Sequence, residues 1–332
     1  MGDILSRKVF SFRILRRTYK LFVATHPIRS NNLDTKISLI DYDISLKFNI
    51  LFGLFVNQNI SCIPLYRPKK WTIFAKVTNN PYKLCVSKKG LDYLSVSTCN
   101  HVTLYLIENF NKDQDDQILK SENHFPSLLE VKKWYKKYTN ILFSQTGKYF
   151  AFGKRGCSGL SVYSFESQVT RKVRVSSSGI KSFDFNYSDT FILLNNFDNS
   201  IIIVETLLFT QQKILDYSNN SNFYGAFFLP FSSVLISLNN NFDKISEFGI
   251  ETSLNKLSKN EKHYFSNSNF KKLTNNQSNS IRNINKIIND VAFSGSGNRA
   301  AIIANVDGQN EIQLYAIERD SKGEISFEYL YI

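Results

Sequence analysis

The sequence has few of the residues that build long helices. It contains one methionine and two tryptophans in 332 residues, and alanine is scarce. Because long helices are filled mainly with alanine and other strong helix formers, helices are not expected to dominate the fold. Aromatic residues are abundant instead and make up 14% of the chain, with 28 phenylalanines and 17 tyrosines. Aromatic and β-branched residues fit pleated, half-buried surfaces, so the composition favours strands.

Cysteine and histidine are too scattered for a metal centre. The four cysteines, at positions 62, 85, 99 and 157, contain no Cys-x-x-Cys pair, and the four histidines show no metal-ligand spacing. The sequence also lacks a nucleophile elbow, and acidic pairs such as Asp115 and Asp116 lie in a polar segment. We therefore predict no catalytic residues, no metal and no cofactor, and we expect a protein that is not an enzyme.

Long apolar runs are absent as well. The best of them, Ile50–Val56, is far short of the ~20 residues that a membrane-spanning helix needs. The N-terminus carries no apolar signal-peptide core, so we expect free thiols in a reducing compartment. Residues 1–6 fit the loose N-myristoylation pattern, but Asp3 beside the glycine argues against it. Acylation of Gly2 is therefore left open.

Five segments of the chain repeat one pattern, in which a strand is followed by a tight polar turn, a second strand and a third. The segments start at Trp71, Asn140, Gly179, Tyr224 and Ile288. Three of these starts lie about 40 residues apart, which is the period of a four-stranded β-propeller blade. A β-sandwich is the alternative for short strands at this spacing, but it has no reason to repeat the same turn after the same strand. The repeats predict an all-β fold, a β-propeller.

Other segments lack the repeat. Residues 252–288 are rich in Asn, Ser and Lys, with too few apolar positions to offset the entropy of ordering, which predicts a flexible insertion between strands. Residues 109–126 resemble a shorter polar loop. Within residues 1–69, the stretch Lys36–Tyr42 is a candidate outer strand that closes the ring, and a degenerate blade is the alternative. We predict a propeller over residues 70–332, and the five visible repeats together with roughly 70 N-terminal residues and the insertions lead to an estimate of seven blades.

The repeats resemble the WD-repeat family. The polar turn of that family, with its glycine, is present as Ser144–Lys148 and as Ser294–Asn298. The Trp-Asp pair that ends each repeat is replaced by Tyr163-Ser164, Val204-Glu205, Phe248-Gly249 and Tyr315-Ala316. The chain is therefore identified as a degenerate member. The resemblance implies a β-propeller of WD-type repeats that acts as a protein-binding scaffold.

Within the WD-repeat family, the order of the units is most similar to the aladin family of nucleoporins. The likeness depends on three features. In the first, Gly179–Phe185 leads to Ile201–Glu205, and in the second the next blade begins at Tyr224–Pro230. In the third, a long polar gap is followed by Val291–Gly297, in a blade that ends in Ile312–Tyr315. It implies a non-catalytic component of the nuclear pore complex that supports nucleocytoplasmic transport and is held by an integral membrane nucleoporin. It also implies a location at the nuclear envelope, with the cytoplasm as the alternative. No binding residue is carried over from that family.

Basic residues outnumber acidic ones, with a net charge of +13, which permits binding to nucleic acid, anionic membranes or acidic protein segments. The candidate binding patch interleaves lysines with aromatic residues and comprises Lys69, Lys70, Lys132, Lys133, Trp134, Tyr135, Lys136 and Lys137. Such a pattern suits phosphate contacts and base stacking on nucleic acid. The alternative, which we favour, is a solvated strand with Trp134 buried and the lysines reaching water. Whether the two parts of the patch share one face is left open.

Two further function classes stay open beside the protein scaffold. The basic and aromatic patch makes an RNA- or ribonucleoprotein-binding propeller one alternative. The other is a membrane-recruited propeller, because Lys154–Gly156 approximates the basic lipid-headgroup motif of phosphoinositide-binding propellers. The glycine and lysine spacing of a nucleotide-binding P-loop is absent around these residues, so nucleotide binding is not predicted.

Overall fold

The fold is taken from a computed structural model. Its described residues are 9–14, 17–22, 38–45, 47–65, 72–88, 92–108, 127–174, 178–206, 209, 211–216, 223–230, 234–239, 245–249, 286–294, 297–306, 309–319 and 325–330. Every regular element within these ranges is a β-strand, so the all-β prediction is confirmed there. The insertion predicted at 252–288 lies outside the described residues except for its last three positions, and the loop at 109–126 lies outside them entirely.

The strands of each sheet follow one another along the chain. The first three sheets are the hairpin β1 (Val9–Ile14) and β2 (Arg17–Phe22); β3 (Leu39–Ser45), β4 (Ile50–Phe55), β5 (Asn59–Pro64) and β6 (Thr72–Lys76); and β7 (Pro81–Val86), β8 (Tyr93–Thr98), β9 (Val102–Glu108) and β10 (Ser127–Trp134). The next two are β11 (Asn140–Phe143), β12 (Tyr149–Gly153), β13 (Gly159–Ser164) and β14 (Thr170–Arg174); and β15 (Ile180–Phe185), β16 (Phe191–Asn196), β17 (Ser200–Glu205) and β18 (Gln211–Asp216). The last two are β19 (Phe223–Phe228), β20 (Val234–Asn239) and β21 (Ile245–Gly249); and β22 (Lys286–Phe293), β23 (Arg299–Val306), β24 (Gln309–Arg319) and β25 (Ile325–Leu330).

The number of complete blades differs from the prediction. The described residues form five four-stranded sheets, one three-stranded sheet and one hairpin. Seven blades were predicted, whereas five complete ones are seen in this part of the chain. The prediction of seven added the first 70 residues and the insertions to the five repeats visible in the sequence, and did not use strand pairing.

The sheet β3–β6 occupies a stretch in which no clean repeat was expected. The predicted closing strand, Lys36–Tyr42, overlaps β3, which is instead the first strand of its own sheet and pairs with β4. Strand β6 pairs with β5 as the fourth strand of this sheet, so the unit predicted to start at Trp71 starts at Pro81. The predicted boundary between residues 69 and 70 therefore falls inside a sheet. Nearly every residue of β4 is buried, so it lacks the alternation that marks a half-exposed strand.

The chain divides into two compact units. One comprises residues 1–154 and 161–171, and the other residues 155–160 and 172–332. In the first unit, one apolar core packs β4 and β5 against β7 and β8, and a second packs β9 against β11 and β12. In the second unit, one core packs β16 and β17 against β19 and β20, and another packs β20 against β23 and β24. Each core thus joins a sheet to the next sheet along the chain.

One turn recurs after the first strand of three sheets, as the repeats predicted. It comprises Ser144–Gly147, Asn186–Asp189 and Ser294–Gly297. In each copy the fourth amide donates to the first carbonyl, at 3.1, 3.1 and 2.9 Å. The first side chain also accepts a hydrogen bond from the amide that opens the next strand, at 3.0, 2.9 and 3.1 Å. The fourth residue has a φ of 84°, 59° and 70° respectively, which explains glycine at two of the three positions.

Side chains also tie neighbouring sheets together within each unit. In the first unit, the Asp41 carboxylate on β3 accepts a hydrogen bond from the Leu84 amide on β7 at 2.8 Å. In the second, the Asn195 side chain on β16 donates to the Ala226 carbonyl at 3.0 Å and accepts from the Ala226 amide at 2.7 Å. Such bonds satisfy backbone groups of the following sheet, because the Asp41 carboxylate or the Asn195 amide stands in for a strand partner.

Candidate binding surface on strand β10

Strand β10 carries most of the predicted patch and lies at the edge of its sheet. It pairs antiparallel with β9, so that Trp134 lies opposite Val102 and Lys132 opposite Leu104. A β-bulge at Val131 interrupts the ladder, because the residues on either side of it pair with successive residues of β9. A bulge re-aims the side chains next to it, and here those side chains belong to the patch.

Trp134 is half-buried and packs against the core of its unit. Its ring centroid lies 4.6 Å from that of Phe152, 5.8 Å from that of Phe150 and 5.4 Å from that of Tyr163. The indole Nε1 donates a hydrogen bond to Thr170 Oγ1 at 3.2 Å, as a packed tryptophan requires. These contacts occupy the ring that base stacking would need.

The ammonium group of Lys132 is held beside aromatic rings. Its Nζ lies 4.5 Å from the ring centroid of Tyr163 and 5.8 Å from that of Trp134, within the range of cation–π attraction. The same nitrogen donates to the backbone carbonyl of Gln168 at 3.4 Å. The ammonium group is therefore oriented by three groups of the protein, and the residue as a whole is only partly exposed.

Tyr135 is the exposed aromatic residue of the patch, with 83% of its surface accessible. Lys133 Nζ lies 5.7 Å from the Tyr135 ring centroid and 3.8 Å from Glu130 Oε2, so its charge is partly compensated. The imidazole of His101 lies 6.4 Å from the Tyr135 ring, centroid to centroid. Burial, and then the charge of Lys133, lower the pKa of His101, which is therefore neutral at pH 7. Tyr135 could thus stack against a partner while His101 adds no charge.

The remaining predicted residues are dispersed. Lys136 and Lys137 are exposed in the segment between β10 and β11. The Thr139 amide donates to the Gly153 carbonyl at 3.0 Å, which places these two residues at one end of the sheet. The exposed Lys154 comes directly after Gly153 and therefore lies at the same end as Lys136 and Lys137. Lys69 and Lys70 lie outside the described residues, so a single face formed by both parts of the patch stays a prediction.

A cleft of about 390 Å³ opens beside Lys132. It is lined by Tyr93, Val131, Lys132, Tyr163, Phe165 and Gln168. The rings of Tyr93 and Phe165 stack with centroids 4.8 Å apart, which makes one wall aromatic. Lys132 is the one charged residue of the lining. A single cation beside stacked aromatic rings can bind an anionic group that has an apolar neighbour.

Sequence reasoning found Lys132 but missed the rest of the cleft lining. Tyr163 stands where the WD-repeat family has its terminal tryptophan, so it was interpreted only as the end of a repeat. Gln168 lies in a turn with a φ of 57°, and glutamine carries no signal for that conformation. Tyr93 comes from β8, and no local pattern links it to β10. A spacing analysis that paired successive units could have placed Tyr163 beside Trp134.

The described residues offer no other evident centre. Within them, no three His, Cys, Asp or Glu side chains lie close enough to hold a metal ion. No helix in the described ranges has the length and apolar character needed to cross a membrane. The four cysteines are free, and burial raises the pKa of Cys62 to about 11, which keeps that thiol protonated at neutral pH.

Comparison with known proteins gives matches in structure alone. No family model and no curated protein sequence matches the chain. The Cps50 (Swd1) β-propeller domain of Myceliophteria thermophila matches with a TM-score of 0.56 and 13% identity, over 88% of this chain and 85% of that one. A chain of a mitotic checkpoint complex matches with a TM-score of 0.54 and 11% identity, over 90% and 77%. A chain of Kuenenia stuttgartiensis hydrazine synthase matches with a TM-score of 0.55 and 12% identity, over 87% and 80%.

Matches at this identity establish the fold and leave the activity open, because one fold hosts many functions. The successive four-stranded sheets, the turn that recurs after their first strands and the cores between consecutive sheets agree with the domain that is named as a propeller. The chain therefore has a β-propeller fold.

Proposed function

We propose that this chain is a non-catalytic WD-repeat propeller that binds other proteins as a scaffold. Within that class, we propose an aladin-like component of the nuclear pore complex that supports nucleocytoplasmic transport. It would be located at the nuclear envelope and bound to other pore components, including an integral membrane nucleoporin. The cytoplasm is the alternative location.

The observation that carries the scaffold function is the surface of the edge strand β10. This strand exposes Leu129 and Val131, and Tyr135 is exposed just beyond its end. Exposed apolar and aromatic side chains grouped with basic ones are typical of protein-binding surfaces. The location at the pore is based on the order of the repeats, which resembles aladin.

The matched structures are compatible with a scaffold but do not require one. One match is a chain of a mitotic checkpoint complex, whose name denotes an assembly. Another is a chain of hydrazine synthase, whose name denotes an enzyme. Because both share this fold, we base the non-catalytic role on the lack of catalytic motifs in the sequence.

We also propose that the propeller has seven blades. Among the described residues five sheets are four-stranded, and the three-stranded sheet β19–β21 and the hairpin β1–β2 are the candidates for two further blades. Propellers have about four to eight blades, so seven lies within the usual range.

Proximity labelling of the tagged full chain in its native cell tests the proposed function. We expect labelled nuclear pore components, enriched over a control in which the labelling enzyme alone is expressed. A neighbourhood composed of cytosolic ribosomes or vesicles, without pore components, would contradict the pore function.

Two alternatives have specific observations in their favour. Tyr135 with its neighbouring lysines could stack a base of RNA, and the exposed Arg155, with its guanidinium 5.4 Å from the Phe197 ring centroid, could contact a lipid headgroup. Salt-titrated binding to RNA and to anionic vesicles tests them, since phosphate contacts weaken steeply with salt. Tight and salt-dependent binding to either, together with no labelled pore components, would favour that alternative over the scaffold.

A further inference from the structure

We propose that the cleft beside Lys132 binds an acidic side chain of an extended segment from a partner protein. The inference deepens the proposed scaffold function and rests on it. It specifies one binding site and the chemistry of the segment that occupies it.

The first argument is the charge of Lys132. Among the described residues, Lys47, Lys83 and Lys133 each have a carboxylate partner, whereas Lys132 has none. Its side chain is only partly exposed, and its ammonium group is oriented by the Tyr163 ring and the Gln168 carbonyl. Partial burial of a cation is costly without an opposite charge, and an incoming carboxylate would supply that charge to a group already in position.

The second argument is the shape of the lining. The stacked rings of Tyr93 and Phe165 and the aliphatic side chain of Val131 surround the single charged group. A volume of about 390 Å³ is at the lower end of ligand-site volumes and suits one or two side chains. A glutamate or aspartate next to an apolar residue would match the charge of Lys132 and contact the stacked rings.

The third argument is the strand that borders the cleft. Among the described residues, β10 pairs only with β9 and is an edge strand of its sheet, which is the position at which an extended peptide can add a strand. Leu129 and Val131, 50% and 43% exposed, lie along this strand just before Lys132. An extended segment running beside β10 would cover these two side chains and deliver an acidic residue into the cleft.

RNA fits the same surface less well. Single-stranded nucleic acid is bound on successive exposed aromatic rings, each of which stacks one base. Of the two aromatic residues in this part of the patch, Trp134 is packed against Phe152 and Tyr163, and Tyr135 alone is exposed. The apolar Leu129 and Val131 also give a sugar–phosphate backbone nothing to bind. We therefore assign the site to a protein segment.

Fluorescence anisotropy with the full chain tests the proposal. The probe is a fluorescein-labelled peptide of alternating glutamate and leucine, compared with a peptide of glutamine and leucine. Lys132→Met keeps the aliphatic stem and removes the charge, so we expect the acidic peptide to bind about tenfold more weakly. Lys132→Arg should retain most of the affinity. Lys76→Met, which removes an exposed lysine of β6 in the same unit, should change it by less than about twofold.

A second variant keeps the test valid if Lys132→Met does not fold. Gln168 is exposed, and Gln168→Glu places a carboxylate at the cleft without changing the shape of the side chain. It should weaken binding of the acidic peptide as well. Equal weakening by Lys132→Met and Lys76→Met would show general charge attraction and overturn the proposal.

RNA is included as a competitor in the same assay. If an oligouridylate displaces the acidic peptide and binds more tightly, with the same dependence on Lys132, the site is one for RNA and the proposal is wrong. If no peptide binds while proximity labelling still recovers pore components, the cleft proposal fails and the proposed function stands.

Discussion

Trp134 and Tyr135 are adjacent in the chain, but their environments differ. The Trp134 ring contacts three aromatic rings and its N–H is hydrogen-bonded, whereas Tyr135 is mostly exposed. The lysine and aromatic pattern could not separate these two roles, because both residues suit a buried strand and a stacking surface. The contacts of Trp134 agree with the packed-strand interpretation of this residue.

This difference predicts opposite effects of two neighbouring substitutions. Trp134→Ala should lower the free energy of unfolding by about 3 kcal/mol, since it removes packed aromatic surface and leaves a cavity. Tyr135→Ala should change it by less than about 0.5 kcal/mol, as expected at an exposed position. Urea unfolding of both variants beside the unsubstituted chain measures the difference. A similar loss in both would show that Trp134 is not packed as described.

Buried tyrosines make stability depend on alkaline pH. Burial, and then the neighbouring Tyr329, raise the pKa of Tyr315 from 10.0 to about 12 in the folded state. Because folding favours the neutral phenol, the stabilisation is fully present below pH 10 and is lost as the pH rises towards 12. The free energy of unfolding should therefore fall over this window. The fall should be smaller in Tyr315→Phe, which has no phenol to ionise.

Equilibrium unfolding between pH 9 and 12 measures this effect. Tyr135→Phe is the matched control, since Tyr135 is exposed and its loss should leave the slope unchanged. Tyr315→Phe also loses the hydrogen bond to Gln313 Oε1, so slopes rather than absolute values are compared. Equal slopes in Tyr315→Phe and the unsubstituted chain would contradict the assigned burial of Tyr315.

At the scale of the element, the turn before β15 depends on a close approach of two backbones. Gly179 has a φ of 86°, and a Cβ there would lie 2.4 Å from the Gly156 carbonyl oxygen. Gly179→Ala should therefore destabilise the protein by more than about 2 kcal/mol, from the left-handed conformation and the clash together. Thermal or urea unfolding measures the loss.

Gly159 provides the control for that substitution. A Cβ at Gly159 would lie 3.6 Å from the Val173 carbonyl oxygen, which is an ordinary contact. Gly159→Ala should therefore change stability by less than about 0.5 kcal/mol. If Gly179→Ala is equally mild, the backbones of Gly156 and Gly179 do not approach each other as described.

Much of the element pattern could be predicted from the sequence, and the exceptions have physical causes. The turns at Ser144 and Ser294 were found because serine and glycine occupy positions that need a side-chain acceptor and a positive φ. The first strands β3, β7, β15, β19 and β22 each contain a bulge, which sequence reasoning missed. A bulge adds one residue and shifts the alternation of side chains, so a strict two-residue period cannot reveal it.

At the scale of the whole molecule, the repeat unit was predicted more reliably than the number of units. The fold is shared with a β-propeller domain at 13% identity, which shows that the pattern of strands and turns persists with few specific residues. The cleft lining could not be predicted, because its residues come from β8, β10, β13 and the segment between β13 and β14. These segments meet only when consecutive sheets pack together.

The central claim is that short antiparallel sheets recur along the chain as the units of the fold. Hydrogen exchange followed by mass spectrometry tests this claim most directly. Slow exchange should recur once per sheet, in middle strands such as β16, whose six residues are all buried between β15 and β17. The edge strand β14 and the turn at 197–199 should exchange faster. Protection that runs continuously through the turns, or β16 exchanging as fast as β14, would contradict the account.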